Sequence, residues 1–403
     1  MKLRDLEVFI VGNPPPRKGG RYFIFVKLTT ACGIVGYGEI YCATFGPEVV
    51  KRMTEDVFQR HFEGADPHRI EHLWRLTFAS GYSLRPDPSL VAVLSGLEIA
   101  CWDILGKSAG KPIYDLLGGK CRERLRSYTY IYPEDEDAHA IVDGPTIYND
   151  PVLAGERALD YVRQGFTALK FDPAGAYTIY DGHQPSIEDL DRSEAFCRSL
   201  REAVGDKADL LFGTHGQFTV SGAKRMARRI EPYDPLWFEE PTPADMPERM
   251  AEVAASTSVP IATGERLTTK FEFERVLATS AASILQPAIA RVGGILEFKK
   301  IAALAEVRYA QVAPHLYCGP VAALANIQVS ACIPNFLILE SIEQFGGFYA
   351  DLLDRPIHWE DGAVIPSNEP GVGAVLNEDV ARANPYSGSE LHLEMSPTAA
   401  FLG

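Results

Sequence analysis

From about residue 125 onward, short runs rich in β-branched and aromatic residues alternate with longer amphipathic segments. Segments between the runs, such as 221–230 and 296–307, repeat apolar residues with the period of a helix. Eight strands separated by helices predict an α/β fold, a modified (β/α)8 barrel of the TIM type. A doubly wound sheet is the alternative, but no glycine-rich phosphate loop follows any run. The runs occupy residues 125–131, 166–172, 208–215, 235–240, 259–265, 282–288, 310–315 and 335–340.

The first 120 residues follow a different pattern. FIFVKLTT (23–30), a glycine-containing turn and IVGYGEIY (34–41) predict a β-hairpin, and mostly helical sequence follows it. We therefore predict an N-terminal α+β capping domain over residues 1–120 and a barrel over 121–345. Residues 346–403, rich in proline and glycine, are too few for a core of their own, so we expect them to pack on the capping domain.

Three of the predicted strands end on ionisable side chains. Glu239 and Glu265 lie 26 residues apart, one strand–helix step, and His315 follows Glu265 by 50 residues, two steps. Since strand C-termini meet at one mouth of a barrel, these side chains are expected to converge. Carboxylates buried there need a partner or an ion, and two of them suit a hard cation such as Mg²⁺.

Composition narrows the class of protein. The chain has 403 residues, 46% of them hydrophobic, and a formal net charge of −15. No basic stripe is present to bind nucleic acid, whereas a local cluster of cations can still bind a small anion. Seven scattered cysteines without CxxC pairs and a start without a long apolar segment favour a soluble, cytoplasmic protein with no membrane partner.

Several motifs together resemble the mandelate racemase branch of the enolase superfamily, especially its sugar-acid dehydratases. They are GYGE (36–39), WFEEP (237–241), ATGERL (262–267), ILQ (284–286) with VGGI (292–295), APH (313–315), PGVGAVLNED (370–379) and the helix GLEIACWDILGKSAGKPIYDLLGG (96–119). In that family acidic residues hold Mg²⁺ at the ends of strands three, four and five. The metal and a nearby cation stabilise the enediolate formed when a base removes the proton α to a carboxylate.

The resemblance assigns roles to five residues of this chain. It implies Glu239 and Glu265 as Mg²⁺ ligands and His315, on strand seven, as the base. Glu340 on strand eight would donate a hydrogen bond to the intermediate, and His215 on strand three would protonate the departing hydroxide. The substrate would be a small anionic sugar acid, and by analogy the protein would form a homo-oligomer, a dimer or an octamer.

The chain departs from the family at three positions. Gly213 stands where the first metal ligand, an aspartate, is expected, so His215, Gln217 or water would have to supply the third contact. On strand two, Lys170 is followed by Asp172 in place of a second lysine. Asp172 either replaces the missing charge, pairs with Lys170 or binds a substrate hydroxyl.

The third departure is Ala288, where the family has an aspartate that orients the strand-seven histidine. Loss of such a carboxylate costs a histidine much of its catalytic effect. Of the remaining polar residues, Arg266 is predicted to anchor carboxylates at the mouth and to bind substrate. Tyr130 and Arg21 are predicted to contact the sugar acid, the latter from a lid over residues 12–22.

Three functions are compatible with these residues. The leading hypothesis is removal of water from an aldonate or aldarate, catalysed by His315, His215, Glu340 and Lys170, to give a 2-keto-3-deoxy acid. A racemase or epimerase of a 2-hydroxy acid is the first alternative, but it needs a base on each face of the substrate. The second alternative is a catalytically impaired descendant that binds sugar acids, for which Gly213 and Ala288 argue.

Overall fold

The capping domain is built on an antiparallel sheet. A computed structural model describes residues 1–81, 86–134, 137–138, 144–172, 174 and 182–393. The sheet has the order β1 (Leu3–Gly12), β2 (Tyr22–Thr30) and β3 (Val35–Ile40). The predicted hairpin is confirmed as β2 and β3, which pair from Ile24–Ile40 to Thr29–Val35.

Four helices follow this sheet. They are α1 (Pro47–Val57), extended by a π-helical turn (Phe58–Phe62), α2 (Ile70–Phe78), α3 (Pro88–Ala109) and α4 (Ile113–Leu116). The Asp87 carboxylate accepts hydrogen bonds from the first turn of α3, which ends at Gly110 in a left-handed conformation (φ 64°). By length and composition α3 could cross a membrane, but 83% of its apolar stretch is buried within the protein. It is therefore a core helix.

The barrel contains all eight predicted strands. They are β4 (Leu125–Tyr130), β5 (Ala168–Phe171), β6 (Asp209–Phe212), β7 (Trp237–Glu239), β8 (Ile261–Thr263), β9 (Ile284–Leu285), β10 (Gln311–Val312) and β11 (Leu339–Ser341). Consecutive strands from β4 to β10 pair in parallel, and β11 pairs with β4. A single bridge, Val312–Phe336, joins the seventh strand to the segment that leads into the eighth.

Helices surround these strands. They are α5 (Pro151–Arg163), α6 (Ile187–Val204), α7 (Val220–Ile230) with a 3₁₀ turn (Glu231–Tyr233), α8 (Pro247–Ala254), α9 (Thr269–Ala278), α10 (Gly294–Val307) and α11 (Pro320–Ala331). Inside the barrel, each strand segment contributes one buried side chain to a single apolar layer. The layer consists of Tyr128, Ala168, Leu211, Trp237, Ala262, Ile284, Ala313 and Ile338.

The C-terminal segment contacts both domains. It contains α12 (Phe348–Asp351), β12 (Trp359–Glu360), β13 (Ala363–Val364) and α13 (Glu378–Ala383). β13 pairs with the start of barrel strand β4, and further on the chain bridges to β1 through Pro385 and Val11. The segment thus adds a contact with the barrel to the predicted contact with the capping domain.

Two buried carboxylates of the capping domain bind the N-termini of barrel helices. Glu98 on α3 accepts hydrogen bonds from the backbone N–H groups of Ile295 (2.7 Å) and Leu296 (2.9 Å) at the start of α10. Glu39 at the end of β3 accepts from those of Gly319 and Ala322 at the start of α11. Helix N-termini leave N–H donors free and favour acidic partners. These contacts fix the capping domain on the barrel.

Candidate active site

The residues of the barrel mouth follow from strand geometry. Because side chains alternate along a strand, the residue two positions beyond each member of the apolar layer faces the same interior, one level nearer the mouth. The residues at this level are Tyr130, Lys170, Gly213, Glu239, Gly264, Gln286, His315 and Glu340. The next level contains Asp172 and His215. Four of the predicted catalytic and metal-binding residues, Lys170, Glu239, His315 and Glu340, therefore share one level, with His215 directly above it.

The centre of the site is an ion pair between Lys170 and Glu239. The Lys170 Nζ lies 2.6 Å from Glu239 Oε1 and 3.9 Å from Glu340 Oε1, and the side chains of Lys170 and Glu239 are 3% and 0% exposed. Burial alone would lower the pKa of Lys170, but Glu239, Glu340 and Glu265 together raise it above its usual value. Lys170 is therefore charged, and its partner is Glu239 rather than Asp172.

The other Glu239 oxygen is also engaged. Its Oε2 accepts hydrogen bonds from the Trp237 indole (3.0 Å) and the Gln286 amide (2.8 Å). Among the residues that the structure describes, no three His, Cys, Asp or Glu side chains are placed to hold one metal ion. Gly213 supplies no ligand, and Gln217 donates instead to the backbone oxygen of Ala174. The residues around Glu239 and Glu265 therefore do not fit a divalent cation held by three protein ligands.

Glu265 lies between the two predicted catalytic histidines. Its Oε2 is 3.3 Å from His315 Nε2, and its Oε1 is 3.9 Å from His215 Nε2. Gly264, with φ 141°, turns the chain just before Glu265. Burial raises the pKa of Glu265 and lowers that of His315 well below its usual range. Burial also lowers the pKa of His215 to about 4, although Glu265 opposes this shift. Both imidazoles are therefore neutral near pH 7.

Asp172 orients His215. Its Oδ2 lies 3.0 Å from His215 Nδ1, which leaves Nε2 of the ring directed towards Glu265. A carboxylate on one ring nitrogen fixes the tautomer and orientation of an imidazole. The structure thus gives Asp172 a role that sequence reasoning did not consider.

His315 has no such orienting carboxylate. Its Nδ1 is buried and has no hydrogen-bond partner in the described part of the chain, as expected from Ala288 on the neighbouring strand. The Tyr41 ring stacks on the imidazole at a centroid distance of 5.9 Å instead. The carboxylate that contacts a histidine Nδ1 in this mouth therefore lies on strand two, beside the histidine of strand three, and not on strand six, beside the histidine of strand seven.

Glu340 and Arg266 also contribute ionisable groups to the mouth. Glu340 Oε2 accepts a hydrogen bond from the Leu316 N–H (2.7 Å), and burial raises the pKa of Glu340 to about 7. A protonated fraction can therefore donate, as its predicted role requires. Arg266 pairs with Glu240, and its guanidinium lies 3.6 Å from Glu265 and donates to the backbone oxygen of His215 (3.1 Å). Arg266 thus holds carboxylates at the mouth.

The predicted lid lies over the mouth and contacts loops of the barrel. Lys18 pairs with Glu343 at 2.9 Å, and Arg17 pairs with Asp137. Arg21, a predicted substrate contact, donates to the backbone oxygen of Leu391 (3.2 Å) in the C-terminal segment. Tyr130, the other predicted contact, lies 5.7 Å from the ring of Tyr132.

Sequence reasoning missed three residues of the mouth. Gln286 binds Glu239, Tyr41 stacks on His315, and His392 lies 5.1 Å from the Tyr41 ring. His392 also bridges the backbone oxygens of Tyr22 and Tyr317, both at 2.8 Å, which fixes the C-terminal segment there. Strand counting could have found Gln286, whereas no periodic pattern indicates the return of the C-terminal segment.

Comparisons with known proteins agree with this architecture. A family described as enolase C-terminal domain-like matches residues 154–380, and the mandelate racemase/muconate lactonizing enzyme N-terminal domain matches 17–118. A D-galactonate dehydratase from Pectobacterium atrosepticum is 33% identical over 374 residues (91% of this chain, 90% of the relative). A D-xylonate dehydratase from Haloferax volcanii is 32% identical over 396 residues (97% and 90%).

A solved structure from Labrenzia alexandrii DFL-11, described as a mandelate racemase/muconate lactonizing enzyme, superimposes with a TM-score of 0.95. It is 68% identical and covers 98% of this chain and 100% of its own. The barrel, the capping domain and these relatives together show that the chain belongs to the mandelate racemase/muconate lactonizing enzyme family of the enolase superfamily.

Proposed function

We propose that this protein is a sugar-acid dehydratase that converts an aldonate or aldarate into a 2-keto-3-deoxy acid. The observation that carries the proposal is that two imidazoles, His315 and His215, face one carboxylate, Glu265, from two sides. The names of the relatives from Pectobacterium and Haloferax support the same reaction class.

The first step is removal of the C2 proton. His315 Nε2 accepts this proton, and the electrons of the C2–H bond move into the substrate carboxylate to give an enediolate. The proton of a sugar acid is weakly acidic, so charge on the carboxylate must be stabilised in the transition state. Lys170 and a protonated Glu340, whose Nζ and Oε1 lie 3.9 Å apart, would donate hydrogen bonds to this carboxylate.

The second step is loss of the C3 hydroxyl. The C3–O bond breaks as the enediolate electrons form the C2–C3 double bond, and hydroxide leaves with a proton as water. Burial favours the neutral form of His215, so His215 has to receive a proton before it donates one, and we assign this role to the proton that His315 removed. Glu265 lies between the two rings and can pass it from one to the other. The enol then takes a proton at C3 and releases the proton of its C2 hydroxyl, which gives the 2-keto acid.

Members of the enolase superfamily generally use Mg²⁺. The residues of this mouth do not fit a metal ion, so the proposed proton transfers use protein side chains alone.

An epimerase is the second candidate, and the same two histidines favour it. Two neutral imidazoles on strands three and seven could serve as bases on opposite faces of a 2-hydroxy acid. Such an enzyme would invert C2 without loss of water.

The test is incubation of the protein with a panel of aldonates and aldarates, followed by NMR and trapping of 2-keto-3-deoxy acids. A 2-keto-3-deoxy product from at least one acid is expected, and a His315→Asn variant should not form it. Formation of epimers without any 2-keto-3-deoxy acid would show that the protein is an epimerase and not a dehydratase. Absence of both products, together with no hydrogen exchange at C2, would leave the hypothesis of a catalytically impaired protein that binds sugar acids.

A further inference from the structure

The strongest unexplained feature of the mouth is the glycine where the family has its first acidic ligand. Gly213 has no positive φ, so its backbone conformation does not require glycine. A Cβ atom added there would lie 3.0 Å from Lys170 Cε and 3.3 Å from the backbone oxygen of Phe171. The space that a ligand side chain would need is therefore filled by the lysine stem.

Lys170 uses this space to reach Glu239. It is 2% exposed, and its Nζ donates a 2.6 Å hydrogen bond to Glu239 Oε1. A cation that bound Oε1 would have to displace this ammonium, while the hydrogen bonds from Trp237 and Gln286 hold the carboxylate by its other oxygen. Gly213 and Lys170 thus form a matched pair on neighbouring strands.

The ammonium also has capacity left for a ligand. A lysine ammonium carries three N–H donors, and Glu239 is its single hydrogen-bond acceptor among the described residues. Glu340, at 3.9 Å, lies beyond hydrogen-bond distance. Two donors of a fixed positive charge are therefore available to carboxylate oxygens of a substrate.

We propose that the Lys170 ammonium takes the place of the divalent cation of this family, binding the substrate carboxylate and stabilising its charge without a metal. The lysine stays protonated throughout and forms no covalent bond. The proposal rests on the proposed sugar-acid chemistry for its substrate, but its structural part, a mouth that does not bind a divalent ion, stands independently.

The test is a titration of the protein with Mn²⁺, in which electron paramagnetic resonance measures the free ion and the bound ion is obtained by difference. The wild-type protein is expected to bind no Mn²⁺ at the mouth at concentrations up to about 1 mM. The double variant Lys170→Ala/Gly213→Asp is expected to gain one Mn²⁺ per chain, because it regains a third carboxylate and loses the competing ammonium. Gly213→Asp alone is the matched control and should gain none, since the lysine remains.

One tightly bound Mn²⁺ per wild-type chain would overturn the proposal whether or not the double variant folds. Turnover of sugar acids measured with and without EDTA separates it from the proposed function. Turnover that persists in EDTA supports both the dehydratase function and the role of Lys170. Turnover that requires Mg²⁺ supports the dehydratase function but overturns the role of Lys170. If the protein neither binds Mn²⁺ nor turns over any sugar acid, the proposal of a metal-free mouth is supported and the proposed dehydratase function is wrong.

Discussion

At the scale of single residues, the charged groups of the mouth are arranged in pairs. Lys170 neutralises Glu239, Arg266 neutralises Glu240, and Asp172 orients His215. Glu265 is the carboxylate that both proposed catalytic histidines face. Removing one member of a pair therefore affects the other member as well, and three variants test the roles assigned here.

Replacement of His315 tests the base. His315→Asn should lower kcat for dehydration by at least about 100-fold, because no other described side chain of the mouth takes its place opposite Glu265. Steady-state rates of 2-keto acid formation measure the effect. His72→Asn, at an exposed position on α2, is the control and should keep the wild-type rate. Equal rates for all three proteins would remove His315 from the mechanism.

Replacement of Asp172 tests the orientation of His215. Asp172→Asn keeps the size of the side chain but lets the amide impose the wrong tautomer on the ring, so kcat should fall by about tenfold or more while KM changes little. A change confined to KM would instead indicate that Asp172 contacts a substrate hydroxyl.

Replacement of Glu265 tests the proton path between the histidines. In Glu265→Gln, His315 can still remove the C2 proton, but that proton cannot pass to His215. Dehydration should therefore fall far more than hydrogen exchange at C2, measured by NMR in deuterated solvent. An equal loss of both rates would contradict a relay through Glu265.

At the scale of elements, the positions of the strands were predictable and the contacts between their side chains were not. Each predicted strand is present. The apolar runs and their spacing of about one strand–helix unit are local features of the sequence, so they indicate where each strand lies. Pairings such as Lys170 with Glu239 depend on which of several carboxylates a flexible side chain reaches. Glu39 and Glu98 were read only as parts of family motifs, although a buried acid opposite a helix N-terminus is a physical reason for both.

Packing between β5 and β6 gives a prediction at this scale. Gly213→Ala should destabilise the protein by about 1 to 3 kcal/mol, because the added Cβ meets Lys170 and the backbone of Phe171. Gly346→Ala is the matched control, since a Cβ there has nothing within 4 Å. Chemical denaturation of both variants provides the comparison, and equal stability would contradict the tight contact at Gly213.

The helix contact of Glu98 gives a second prediction. Burial raises the pKa of this carboxyl from 4.5 to about 8, so the folded protein keeps a proton that the unfolded chain releases. The resulting stability is present at low pH and is lost as the pH rises through about 8. Both carboxyl oxygens accept N–H hydrogen bonds, and a glutamine amide nitrogen cannot accept one, so Glu98→Gln should be less stable than the wild type at low pH. Because the wild type loses stability as the pH rises through about 8 and the glutamine variant does not, the difference in melting temperature should narrow over that range. A difference that stays constant from about pH 5 to 9 would contradict the raised pKa.

At the scale of the whole molecule, the two domains and the C-terminal segment enclose one mouth. Tyr41 from the capping domain and His392 from the C-terminal segment lie together over His315 of the barrel. The sequence predicted the barrel and the capping domain because both depend on local patterns. It could not place the C-terminal segment over the mouth, because that contact joins residues about 350 positions apart.

The most direct test of the central claim follows the hydrogen atoms of the reaction. In deuterated water, dehydration through an enol should give a 2-keto-3-deoxy acid that carries one solvent deuterium at C3, detected by NMR, and it should do so in the presence of EDTA. A product that lacks this deuterium, or no product from any aldonate or aldarate, would contradict the account.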